Sequence, residues 1–139
     1  MDKVIFACVH NAGRSQMAAA FFNQLVDRTL AEAVSAGTQP GERVHPVVID
    51  VLNEVGINLS GRKPQLLTES LASDANLLVT MGCGDECPVV PGLKREDWPL
   101  QDPKDQPIEV VRQIRDDIKS RVTALVTSRG WSRHSEGDS

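Results

Sequence analysis

Tyrosine is absent from this chain, and other aromatic side chains are few: three phenylalanines and two tryptophans in 139 residues. An excess of positive charge is missing too. Fifteen lysines and arginines stand against nineteen aspartates and glutamates, the formal charge is -4, the pI is near 5.3, and no basic stretch occurs. Nucleic-acid binding, which rests on clustered Lys and Arg against phosphate, is therefore not expected. The longest apolar runs, around residues 4–9 and 77–81, fall far short of the roughly 20 residues that span a bilayer, and the N-terminus shows no signal-peptide pattern. A cytoplasmic protein without membrane association is expected. Cysteines number three, Cys8, Cys83 and Cys87, an odd count that does not suit a secreted disulfide framework. Such thiols are either inert core residues or chemistry. No internal repeat is present, and the length suits one domain, expected over residues 1–130, with the polar stretch 131–139 as a disordered tail.

Along the chain, apolar patterning alternates between two periods. "KVIFACV", residues 3–9, is short, β-branched and without polar alternation, which predicts a strand buried on both faces. From Ser15 to about Thr29, Ala18, Phe21, Phe22, Leu25 and Val26 recur at the spacing of one helical face. "EAVSAG", residues 32–37, predicts a second strand. "HPVVIDVLNEVG" predicts a helix with Pro46 in its first turn, Val47, Val48, Val51, Leu52 and Val55 inward, and Gly56 as its stop. A weaker helix over 66–73, the strand "NLLVTM", a Gly, Cys and Pro rich loop over 82–92, and a short edge strand near Asp97 and Trp98 follow. Ile108, Val111, Ile114, Ile118, Val122 and Leu125 mark a long amphipathic helix. Strands alternating with helices predict a three-layer α/β fold with a mainly parallel sheet. Ligands of such sheets sit at the carboxyl ends of strands, so the segments after Val9, Met81 and Trp98 share the expected rim.

Chemistry concentrates in "CVHNAGRS", residues 8–15. A loop running from a strand end into a helix N-terminus turns backbone N–H groups toward one point with the helix dipole behind them, which makes a socket for an oxyanion. The backbone of Val9, His10, Asn11, Ala12, Gly13 and Arg14 is the expected cup. Arg14 can grip two anion oxygens with its planar fork. Gly13 permits positive φ, and Asn11 tolerates the left-handed region better than most residues. At the floor, Cys8 is surrounded by groups that favour the thiolate, the nucleophilic form, and the Ser15 hydroxyl can donate to the sulfur. The plain alternative is a core cysteine at a strand end. Asp102, ahead of Pro103 on the rim segment after Trp98, is the candidate acid for a leaving oxygen, against the reading that Asp-Pro starts a surface turn.

These residues resemble a known family. "CVHNAGRS" is similar to the Cys-x5-Arg-Ser anion loop of the low-molecular-weight tyrosine phosphatase fold, and "GRSQMA" looks like its arsenate reductase branch. "SAG" at 35–37, "HP" at 45–46, "EVGINLSG" at 54–61 and "DWPLQDP" at 97–103 extend the likeness over nearly all of residues 3–127. The resemblance implies a four-stranded parallel sheet with helices on both faces. It assigns Cys8 as nucleophile, Arg14 as anion clamp, Asn11 as loop organiser, Ser15 as thiolate partner and Asp102 as acid. Phosphatases of this fold place aromatic residues beside the socket, including a tyrosine after the Asp-Pro, where this chain has Lys104. The walls therefore suit a small bare anion such as arsenate. The alternative is a phosphatase that hydrolyses phosphate monoesters through a Cys8 phosphoenzyme.

Arsenate reduction needs a second thiol to attack the Cys8 sulfur so that As(III) leaves. "MGCGDECP" offers Cys83 and Cys87 as a relay toward thioredoxin, closer in sequence than the second and third cysteines of thioredoxin-coupled relatives. Pro88 biases Cys87 toward extended backbone. Related reductases use a small thiol such as mycothiol, with a glutaredoxin-like partner, and the small-thiol route is favoured. Cys83 and Cys87 otherwise serve as packing residues, and a zinc site lacks a four-ligand set at recognisable spacing. No bound cofactor and no metal are expected. Some family members carry a potassium site near Asn11 with an acidic side chain where this chain has Ala19. Arg62 and Lys63 are read as a solvated charged turn, the alternative being a position beside the rim that attracts an acidic or sugar-bearing cofactor.

Overall fold

A computed structural model describes residues 1–59, 61–81 and 92–132. Cys83 and Cys87 lie outside these residues. Four strands, β1 (Asp2–Cys8), β2 (Ala31–Gly37), β3 (Leu77–Thr80) and β4 (Lys94–Asp97), form one parallel sheet in the order β2-β1-β3-β4. Parallel neighbours need crossover connections, and four helices supply them or flank them: α1 (Arg14–Leu25), α2 (Pro46–Asn53), α3 (Glu69–Ser73) and α4 (Ile108–Ser128).

The period of two along β1 sorts its side chains into two cores. Val4, Phe6 and Cys8 join the larger one with α1, α2 and α4, whereas Ile5 and Ala7 pack on the other face with Ala36, Ala72 and Leu78. Phe6 meets Phe22 edge-on at 5.8 Å between ring centres and Trp98 at 5.6 Å. Such double burial explains why β1 shows no polar alternation. At the other extreme, β4 is the edge strand "KRED", whose charges discourage pairing with another chain. The chain passes from β1 to β2 on one side and from β2 back across to β3 on the other, so the carboxyl end of β1, at Cys8, lies at the point where strand order reverses. Among the described residues no helix is long and apolar enough to cross a membrane.

Several boundaries differ from the sequence expectations, each for a local reason. The first helix stops at Leu25 rather than Thr29, because Val26 turns extended and bridges Ser132, while Asp27 Oδ1 accepts from the Thr29 N–H and hydroxyl at 2.9 and 2.6 Å. Residues 66–67 are not helical. Leu66 bridges Gly37, and α3 starts only after Thr68, whose hydroxyl caps the Leu71 N–H at 3.0 Å. Pro46 opens α2 as expected, but the helix ends at Asn53 and leaves Val55 37% exposed. Nor does the tail begin at 131. Trp131 is buried against Phe22, with centroids 5.8 Å apart, and its carbonyl accepts from the Asp27 N–H at 2.8 Å.

Candidate active site

The loop after β1 owes its shape to a strap formed by residues 39–45. Val9 O accepts from the Gln39 N–H at 2.8 Å, His10 O from the Gly41 N–H at 2.9 Å, and Ala12 O from the His45 N–H at 2.9 Å. A trans peptide sets its N–H opposite its C=O. With these carbonyls turned out to the strap, the N–H groups of His10, Asn11 and Gly13 are turned the other way. The start of α1 adds to them, since it has neither a side-chain cap nor an acidic residue in its first turn, and its leading amides are not used within the helix. The resulting hollow is lined by Cys8, His10, Ala12, Gly13, Arg14, His45 and Asp102. Of the expected cup residues, His10, Ala12, Gly13 and Arg14 line it together with Cys8 and the candidate acid Asp102, whereas Val9 and Asn11 are not among the lining residues.

Glycine is required at two places around this loop. Gly13 does not use positive φ, contrary to expectation: its φ is -146°, and the left-handed residue is Asn11 at 51°. What Gly13 supplies is room, because a Cβ there would stand 2.8 Å from Pro103 Cγ and 3.5 Å from His45 Cδ2. Gly37, at the end of β2, admits the loop itself. A Cβ on it would lie 2.6 Å from Val9 O and 3.0 Å from Asn11 N.

Cys8 is free and buried, and its sulfur lies 2.9 Å from Ser15 Oγ. The Asn11 amide donates to that same Oγ at 2.7 Å. Ser15 Oγ therefore accepts from Asn11 on one side and lies against the sulfur on the other, where its own proton is available to a thiolate. Arg14 is almost fully buried. Its Nη1 donates to Leu100 O at 3.0 Å, and its Nη2 stands 3.7 Å from Asp102 Oδ2. The segment that carries these partners is anchored by buried Trp98 and Leu100. Asp102 is half exposed, and its Oδ1 accepts from the Lys104 N–H at 3.0 Å. His10 is tied back by its Nδ1 to Gln39 O at 3.1 Å.

Three contributors escaped the sequence reading. His45 lines the hollow, and burial holds its imidazole below the usual value, helped by Lys104 and His10 and opposed by Asp102 and Asp105. Gln16 and the Gln65 backbone both reach the Asn11 side chain, Gln16 Nε2 at 3.2 Å and Gln65 N at 2.9 Å from Oδ1. The strings "HP" and "GRSQMA" contained two of these residues without showing what they touch. No spacing rule predicts a contact to residue 65. A potassium ion beside Asn11 does not fit this arrangement: Asn11 Oδ1 is already engaged by two donors, and buried Ala19 has no side-chain oxygen to offer. Among the described residues no three His, Cys, Asp or Glu side chains come together as metal ligands.

A parallel sheet of order β2-β1-β3-β4 with a thiol at its reversal point, cupped by a Cys-x5-Arg loop, defines a phosphatase-type anion fold. The chain belongs to the low molecular weight phosphotyrosine protein phosphatase family, which matches residues 3–133. Within that family it is 38% identical over 129 residues to the glutaredoxin arsenate reductase of Synechocystis, covering 91% of this chain and 97% of that one. Its structure superposes on the thioredoxin-dependent arsenate reductase of Corynebacterium glutamicum with a TM-score of 0.79 and 38% identity over 92% of this chain, which spans 61% of that protein's length. An arsenate reductase solved in a phosphate-binding state gives 0.80 and 34% identity, with 92% and 98% of the two chains covered.

Proposed function

We propose that this protein reduces arsenate to arsenite. The observation that carries the reading is the Cys8 sulfur, 2.9 Å from Ser15 Oγ, at a hollow that Arg14 and Asp102 also line. The names of its relatives support it, and Lys104 in place of an aromatic wall suits a bare tetrahedral anion. In the first step the Cys8 thiolate attacks As(V). Asp102 protonates an arsenate hydroxyl group, which departs as water and leaves an S–As(V) bond. Arg14 and the backbone N–H groups hold the other oxygens, where charge gathers in the transition state. A second thiolate then attacks Cys8 Sγ. The S–As bond breaks, its electron pair stays on arsenic, and arsenite leaves as As(III) while the two sulfurs become a disulfide. Two electrons pass from sulfur to arsenic, so each turnover requires an outside thiol reductant.

The sequence favours a small thiol such as mycothiol with a glutaredoxin-like partner, and Cys83 and Cys87 offer the relay toward thioredoxin. Of the relatives' names, one speaks of glutaredoxin and one of thioredoxin. Arsenite production with each reductant in turn, with mass spectrometry for a Cys8 adduct, tests the proposal. Cys8→Ser is expected to abolish turnover and the adduct together. Hydrolysis of an aryl phosphate far faster than arsenate consumption under every reductant would overturn it in favour of the phosphatase. Loss of activity with mycothiol in the Cys83→Ser, Cys87→Ser double variant would overturn the small-thiol preference.

A further inference from the structure

Gln16 is an amide buried in the first turn of α1, 3% exposed, and none of the steps above uses it. Its Nε2 faces three oxygens: Asn11 O at 3.1 Å, Asn11 Oδ1 at 3.2 Å and Lys63 O at 3.4 Å. Three oxygens converging on one point are the surroundings of a hard cation. Here the point is occupied by a neutral N–H donor from within the chain. Asn11 is the one residue of the loop held in the left-handed region, at φ 51°, and its Nδ2 is what reaches Ser15 Oγ beside the sulfur.

We infer that Gln16 is a positioning residue that does internally what a bound monovalent cation would do, fixing Asn11 so that the Asn11–Ser15–Cys8 chain forms without any ion. The inference rests on the proposed use of Cys8 at an oxyanion cup. Its logic is one of donors and acceptors. Asn11 Oδ1 and O must both meet donors, or the buried side chain turns and its amide leaves Ser15. Gln65 N supplies one donor, and Gln16 is the only side chain among those recorded at Asn11 that supplies the others. An acidic side chain at residue 16 keeps the shape and reverses the requirement. A carboxylate facing three oxygens repels them unless a cation sits between.

The test compares the unaltered protein with Gln16→Met and Gln16→Glu, in potassium and in tetramethylammonium salts of equal ionic strength. The readouts are the rate of iodoacetamide alkylation of the Cys8 peptide, followed by mass spectrometry, and its protection by inorganic phosphate. The unaltered protein is expected to behave alike in both salts. Gln16→Met should lose about tenfold in phosphate protection in both, as for a buried polar group left without its partner. Gln16→Glu should lose as much in tetramethylammonium and recover several-fold in potassium, a response that a space-filling role at residue 16 would not produce. A dependence on potassium in the unaltered protein, full protection in Gln16→Met, or a Gln16→Glu variant indifferent to the cation would each overturn the inference. The first of these needs no variant to fold. Absence of phosphate protection in the unaltered protein would instead count against the oxyanion cup itself.

Discussion

Replacing Gly37 by alanine tests whether the loop is shaped by what lies beneath it. The added methyl would stand 2.6 Å from Val9 O and 3.0 Å from both Asn11 N and Asn11 Cβ. A carbon and a carbonyl oxygen settle no closer than about 3.3 Å, so about 0.7 Å must be found. Neither side yields it readily. Gly37 is held by its N–H to Gln65 O at 2.9 Å and by its carbonyl to the Leu67 N–H at 2.8 Å, and Val9 O is held by the Gln39 N–H at 2.8 Å. Overpacking of this kind costs about 1–3 kcal/mol. A loop moved by most of an ångström also loses on the order of 100-fold in a reaction that depends on its geometry. Urea unfolding followed by tryptophan fluorescence reads the first effect, and arsenate-dependent arsenite formation reads the second. Gly41→Ala is the control, because its nearest neighbour would be His10 O at 3.8 Å, an ordinary contact; a change within about 0.5 kcal/mol is expected there. If Gly37→Ala matched the control in both stability and activity, the close approach of loop and strand would not be what sets the cup.

Asp102→Asn should keep the Arg14 side chain in place through Leu100 O while slowing formation of the Cys8 adduct by roughly 100-fold or more, as the loss of a general acid does; rapid-quench mass spectrometry reads it, and an undiminished rate would remove Asp102 from the mechanism. Burial holds the His45 imidazole below its ordinary value of 6.5 in the folded protein, so the unfolded chain takes up that proton first as pH falls. The stability associated with neutral His45 is accordingly present above about 6.5 and declines as pH falls from there through the lower folded value. His45→Asn should flatten that decline in urea midpoints measured between pH 7.5 and 5, and an unchanged slope would contradict it. Trp131→Ala empties a site against Phe22 and should cost about 3 kcal/mol, whereas deletion of the residues after Ser132 should leave the urea midpoint unchanged if Trp131 is what closes the fold.

Much of this architecture was legible from local pattern. The unbroken apolar run of β1 announced a strand covered on both faces, the spacing from Val111 to Leu125 announced α4, and Pro46 marked the start of α2, because each signal lies within a few turns or residues of itself. The interval from Cys8 through Arg14 to Ser15 was equally plain, since a strand end feeding a helix start makes an anion socket from consecutive residues. Asp102 needed its dipeptide context, and the sheet then brought it to the same hollow.

What only the tertiary structure decided is how that socket is held. Arg14 is aimed by a carbonyl 86 positions further along, Asn11 by a backbone N–H 54 positions away, and the loop carbonyls by a strap whose residues show no pattern of their own. Gly37 ends β2 in the sequence, yet its necessity comes from the loop of a neighbouring strand passing over it. Trp131 looked like the start of a tail until Phe22 and Asp27 gave it a place. Periodicity records which face of an element is buried. It carries no record of which distant backbone group meets a given polar side chain, because those pairings arise only when separate elements pack and their buried donors and acceptors must all find partners.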